Sequence, residues 1–461
     1  MELPRLGRRS RKVSVILSSH PSPAERREHG RAARRRLPRR ELGHWAPDRD
    51  ALAVVLDQSA TRLADLVPLR HARMAASPWA YYRGAAAVMA ADLATAPNTG
   101  LEVQLCGDAH ALNFGLWATP ERNLSFDLRD FDETLPGPFE WDVMRLAASL
   151  VVLARENALA PDTADHAVAS ALQAYRTKMH DYTTASQMEI WYDTIHVEQL
   201  LGYFGEDRRA RVSKHIEKRR KRRTSVGAFE KLTESVEGRR RIIEDPPRLT
   251  HFDNPRRLEI VHEVFEQYAE TLQEDRRRCL ENFSFVDTAR QVVGVGSVGM
   301  RVHLILLEGR GGDDPLFLQV KQAGPSVYEA HLPKSRYRNH AARVVNGKRL
   351  IQSATDMFVG WTSFAGMDFY VRQFRDMKVI PDSVRIAPVL VELATACGDV
   401  LARSHARTGD PVAIASYIGK GGRFDEAIGA FARAYADQTE RDHAQLVAGI
   451  AGGSVPFEAG S

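Results

Sequence analysis

The spacing of apolar and polar positions changes several times along the chain. Near Asp50 apolar residues recur at helical spacing: Leu52, Val55 and Leu56, then Leu63, Leu66 and Val67. Ser77-Pro78 interrupts that pattern, and AYYRGAAAVMAADLA resumes it with helix-favouring alanines. From Val103 to Trp141 the pattern shortens. VQLCGDAHALNFGLWATPERNLSFDLRDFDETLPGPFEW holds two strand-like runs split by a turn at Pro120–Asn123, a β-hairpin set between polar loops. Trp141 to Arg155, WDVMRLAASLVVLAR, is apolar nearly all round, which predicts a helix buried at a domain centre. Asp142 at its start reads as a cap that also holds a neighbouring loop. Asp162 to Asp275 reads as charged, glycine-poor helix with a break at Pro246-Pro247.

Near Phe283 the texture becomes β. Residues 283–321 alternate short apolar runs with Gly and Asp turns, and a further strand pair is expected around Asp356–Trp361 and Asp368–Phe374. Helical spacing returns from Ala387 to His405, followed by a last helical pair at Asp425–Asp437 and Arg441–Ile450. The expected class is α+β, with a mostly helical large lobe and a small antiparallel β lobe. The expected divisions are a flexible basic arm (1–45), a helical lobe (46–282), a small β-rich lobe (283–380) and C-terminal helices completing the helical lobe (381–461).

Composition narrows this little. At 461 residues, 44% hydrophobic and 27% charged, the chain can bury a large core. No run of 18 or more apolar residues exists, so no membrane span is expected. The patch VSVIL near the start is too short for a secretory segment. Cys106, Cys279 and Cys397 are odd in number and far apart, which suits neither a disulfide framework nor a paired-cysteine zinc site and points to a reducing cytoplasm. The net charge of +5 is clustered in two runs, Arg26–Arg40 and Arg208–Arg223. Each reads as a solvated face or as a surface for nucleic acid, though few aromatics are interleaved.

Candidate chemistry gathers at two places. Asp108, His110, Asn113, Asp127, Asp130, Asp132 and Glu133 crowd into the Val103–Trp141 stretch. Oxygen donors packed this way suit a hard cation such as Mg²⁺, or else a polar loop of Asx-turns. The second place is Gly294, Gly296 and Gly299, a G-x-G-x-x-G that also contains Ser297. A dinucleotide-binding motif must open a helix, but here the β-rich MRVHLILLEG follows. A strand–glycine loop–strand covers nucleotide phosphates with backbone N–H groups, and a lysine on the next strand then neutralises phosphate oxygens. Lys321, at the end of LFLQVK, is that candidate, with Glu329 eight residues later as its candidate partner. Arg83 either reaches an anion or pairs with a surface carboxylate.

GDAHALN resembles the G-D-x-x-x-x-N catalytic loop of aminoglycoside and choline kinase-like phosphotransferases. Asp130-Phe131-Asp132 is similar to their second metal motif, and GPFEWDVMRLA to the start of their central helix. Carried over residue by residue, the resemblance implies Asp108 as the base that contacts the acceptor, with Asn113 and Asp130 as metal ligands and Asp132 or Glu133 as helpers. His110 is then a scaffold residue. Cys106 stands where those enzymes carry a histidine. The glycine loop and lysine follow the catalytic loop instead of preceding it, by roughly 180 positions from Asn113 to Gly294. VELATACGDVLARSHA, which resembles the helix that leads into such a loop, lies near the C-terminus. This order implies a circularly permuted, protein-kinase-like two-lobe fold.

At whole-chain level, from about Ser22 to about Ala451, the sequence resembles the bacterial family called domain of unknown function 2252. The residues that carry the likeness are RMAASPWAYYRG, VQLCGDAHALNFG, FDLRDFDETLPGPFEWDVMRLAASL, VVGVGSVG and FYVRQFRDMK. The resulting expectation is an ATP- and Mg²⁺-dependent phosphotransferase acting on a hydroxyl or amine of an unknown small-molecule or protein acceptor. The alternatives are adenylyl transfer with the nucleotide reversed, a non-catalytic nucleotide-binding regulator, a nucleic-acid-associated protein acting through Arg208–Arg223, and a metal-dependent hydrolase.

Overall fold

The computed structural model describes residues 20–222, 225–251, 257–311, 314–374, 377–379 and 383–458. The helix predicted to be central, Phe139–Glu156, is buried along almost its whole length. It packs against Pro161–Asp181 and Arg423–Ala451, and Leu390–Thr408 lies along both it and Pro161–Asp181. Leu146, Leu150 and Leu153 join Leu393, Cys397, Val400 and Leu401 in one large helical core. Arg423–Ala451 is one continuous helix, not the expected pair, since Gln438 to Arg441 includes no Gly or Pro to break it.

The β part is a six-stranded antiparallel sheet. Its order is Gly360–Phe364, Met367–Gln373, Pro315–Ala323, Val302–Glu308, Ser284–Gln291 and Leu249–Thr250. Along Pro315–Ala323 side chains alternate between faces. Leu316, Leu318 and Val320 pack with Tyr268 and Leu272. Phe317 packs on the opposite face with Ala228 and Leu232. The β-rich part therefore begins earlier than residue 283. Leu249–Thr250 supplies its edge strand, and Ser225–Leu232 and Arg257–Ala269 supply its covers. The helical expectation for Asp162–Asp275 also misses a hairpin, Thr233–Val236 with Arg239–Ile242, turned by Glu237 and Gly238 at positive φ.

The expected flexible arm is, from Pro23 onward, built into the fold. Pro23–Arg36 is a capped helix packed on Pro411–Ile418. Its basic run serves that packing: Arg26 pairs with Asp410 at 2.8 Å, while Arg34 and Arg39 donate to the carbonyls of Ser416 and Ile418. In the second basic run Arg208 pairs with Glu392, and Arg223 lies outside the described residues. Among the described residues no helix is long and apolar enough to cross a membrane.

Candidate functional site

The first half of the site is the loop 106–113 and the hairpin after it. Phe114–Ala118 pairs with Leu124–Leu128, as predicted. Asp142, in the first turn of the central helix, accepts hydrogen bonds from the backbone N–H of Cys106 (2.6 Å) and Gly107 (3.0 Å). A buried carboxylate thus sets the loop's path by taking two otherwise orphaned donors. Gly107 has φ +86°, and a Cβ there would lie 2.3 Å from the carbonyl oxygen of Glu133, so the position needs glycine. Tyr328 closes the loop from the β side by donating to the Gly107 carbonyl at 2.8 Å.

Asp108 follows Gly107 in this loop. Arg145, one turn further along the central helix, holds its Oδ1 through Nε (2.9 Å) and Nη2 (2.8 Å). Burial raises the Asp108 carboxyl above its ordinary range, and Arg145 pulls against that. Its Oδ2 faces His110 Nε2 at 3.7 Å. Burial, together with Arg83 and Arg145, pushes His110 far below the usual imidazole range, so the ring stays neutral near pH 7. Asp108 is therefore an ionisable acceptor held by one cation, which suits a group that takes a proton from a bound hydroxyl.

Asn113 and Asp130 meet, with the Asn113 side chain bound to the Asp130 backbone. Asn113 Nδ2 donates to the carbonyls of Asp108 (2.9 Å) and Asp130 (3.0 Å), and its Oδ1 accepts from Asp130 N (2.8 Å). The side chain expected to bind metal instead ties the two motifs together. Asp130 keeps a carboxylate oxygen, Oδ1, that is buried and unpartnered among the described residues. Burial would raise its pKa, but Lys321, Arg372 and Arg129 outweigh it and keep the group ionised.

Lys321 crosses from the sheet to this cluster. Its side chain is 2% exposed, and Nζ donates to Asp132 Oδ2 and lies 3.9 Å from Asp130 Oδ2. Tyr370 donates to the other Asp132 oxygen at 2.9 Å. Asp132, expected as a metal ligand, thus anchors the lysine. Glu329 does not pair with Lys321. It caps the turn at Ser326 and faces Arg343 Nε at 3.6 Å. The short spacing from Lys321 sends it to the other side of the Asp132–Thr134 turn, whose carbonyls Arg343 binds. Glu133 reaches the same region through Val327 N at 2.7 Å, and burial pushes its carboxyl up to about 7.

The glycine motif lies between two strands, as expected, and curls into a short 3₁₀ turn at Val295–Ser297. Gly299, at φ +86°, leaves room for Arg62, whose Cβ would come within 2.8 Å of an added Cβ. Arg62 donates to the Val298 carbonyl at 2.5 Å, and Leu63 N to that of Gly299 at 2.8 Å. Arg83 Nη2 stands 3.7 Å from where a Gly294 Cβ would be. Burial lowers the Arg83 pKa, and the carboxylates of Asp108 and Asp130 pull it back up. Arg83 therefore stands between the glycine turn and the acidic cluster, facing the carboxylates of Asp108 and Asp130.

A cavity of about 280 Å³ opens between sheet and hairpin, walled by Trp117, Val293, Gln319 and Phe374 and by the cations Arg129, Lys348, Arg372 and Lys378. Among the described residues no three or more His, Cys, Asp or Glu side chains converge as a metal cage. Mg²⁺ is usually held by one or two carboxylates plus substrate phosphates. Asp130, with its open oxygen, fits that lesser demand.

Residues 62–449 match the family described as uncharacterized protein conserved in bacteria (DUF2252). The chain belongs to that family. The match begins at Arg62, beside the glycine turn, and takes in every site residue from Arg83 to Lys378. No curated protein and no solved structure matches the chain. Sequence reading missed Arg145, Arg343, Lys348, Arg372 and Lys378 as site residues. Arg145 carried a signal, since a lone cation inside an apolar helix is costly unless paired.

Proposed function

We propose that this DUF2252 chain is an ATP- and Mg²⁺-dependent, kinase-like transferase that moves a phosphorus-containing group from nucleotide to a hydroxyl or amine acceptor. The carrying observation is the meeting of Lys321, from the sheet, with Asp130 and Asp132, from the hairpin's far end, beside a ligand-sized cavity. In this reading Lys321 neutralises phosphate oxygens, Asp130 holds the nucleotide's Mg²⁺, and Asp108 takes the acceptor's proton. Gly294, Gly296, Ser297 and Gly299 line the phosphate side. Most of the rate gain would come from positioning and charge.

A circularly permuted kinase-like arrangement is part of the proposal. It is supported by Thr408, at the end of Leu390–Thr408, whose Oγ1 accepts from Gln104 N at 3.0 Å. The helix that resembles the lead-in to a catalytic loop ends beside the strand that enters that loop. The test is calorimetric titration of the protein with Mg·ATP, followed by a screen of hydroxylated and aminated acceptors. An absence of Mg·ATP binding would refute the proposal.

A further inference from the structure

The inner cavity has the wrong charge for a nucleobase. Four of its lining side chains, Arg129, Lys348, Arg372 and Lys378, are cationic, and among the described lining residues Asp356 alone is acidic. Asp356 is already engaged, by Lys348 at 3.3 Å. Lys378 donates to the carbonyl oxygen of Gln373 at 3.1 Å. Burial and the neighbouring Arg372 and Lys348 push Lys378 well below the usual lysine range. Crowded cations of this kind gain most from a bound anion. A neutral base would dehydrate them and return no counter-charge.

The cavity shares three of its cations with the surroundings of Asp130. Arg129, Lys348 and Arg372 also line, together with Asp130 and Tyr370, a narrow space of about 10 Å³. Asp130, beside Lys321, therefore has Arg129, Lys348 and Arg372 as neighbours in common with the cavity.

We infer that the nucleotide enters phosphates first, with its terminal phosphates among Lys348, Arg372 and Lys378 and its α-phosphate beside Asp130. This rests on the transferase reading of the same cleft and decides which phosphorus reacts. The acceptor oxygen attacks the α-phosphorus and its proton goes to the Asp108 carboxylate. The bond between the α-phosphorus and the bridging oxygen breaks, and diphosphate leaves with the electron pair. The group transferred is a nucleotidyl group, and no oxidant or further reactant is needed.

Competition calorimetry on the full chain tests this, with Mg·ATP, inorganic triphosphate and adenosine as probes. Triphosphate is expected to displace Mg·ATP while adenosine does not. Lys378→Gln and Lys348→Gln, each checked by thermal melting, are expected to weaken both Mg·ATP and triphosphate tenfold or more. With α-labelled ATP the label is expected on the acceptor, and with γ-labelled ATP in the released diphosphate; γ-label on the acceptor would overturn the inference. Displacement by adenosine alone, with triphosphate binding absent, would overturn the inference and leave the transferase reading standing. Failure of Mg·ATP to bind at all would remove both.

Discussion

Lys321 and Asp132 stand 189 positions apart in the chain, yet the lysine, buried at the end of its strand, donates directly to the carboxylate. Asp130 lies on the same side at 3.9 Å, and the two carboxylates together hold the lysine charged despite the burial that opposes it. Removing one partner of a buried pair costs about 3–5 kcal/mol, because the other charge is left without compensation. Lys321→Met is expected to lose stability on that scale in urea denaturation. Adding Asp132→Asn should recover part of the loss. Strictly additive losses would mean that the two residues are not coupled.

Asp142 carries the path of the loop 106–113 through two backbone donors. Asp142→Ala leaves the N–H groups of Cys106 and Gly107 buried and unpaired, at roughly 1–3 kcal/mol each. The expected outcome is a lowered melting temperature together with weakened Mg·ATP binding, since Asp108 and Asn113 follow from that loop. A variant that melts earlier but binds nucleotide unchanged would show that Asp142 supports only the helical core.

Much of the helical part was legible because its signals are local. The hairpin at Phe114–Leu128 and the all-apolar central helix follow from alternation and composition. The glycine loop was placed between strands because no helical period follows Gly299. What stayed hidden depends on long-range packing. Charge alone cannot distinguish a solvated basic arm from Arg34 and Arg39 reaching the carbonyls of Ser416 and Ile418. Spacing cannot say that Asn113 would bind backbone on both sides or that Glu329 would face Arg343. The cavity cations come from separate elements, the hairpin end, a helix and the last sheet strand with its exit, so no single window displays them.

Glu140 predicts a pH dependence of stability. It is 1% exposed, and burial pushes its carboxyl up to about 7 although Thr99 donates to both oxygens. A carboxyl raised on folding binds its proton more tightly in the native state. Its contribution is full below the unfolded value and is lost as pH rises through about 7. The slope is at most about 1.4 kcal/mol per pH unit. Stability measured in urea from pH 5 to pH 8 is expected to fall with this component, and Glu140→Gln should flatten it. An unchanged slope in that variant would assign the dependence elsewhere.

The central claim is that Asp130 and Lys321 form the two sides of one nucleotide site. Calorimetric titration of Mg·ATP into the wild type, Asp130→Ala and Lys321→Ala, all below their melting temperatures, tests it most directly. The account predicts measurable binding by the wild type and a loss of tenfold or more in each variant. Unchanged binding in both would contradict it.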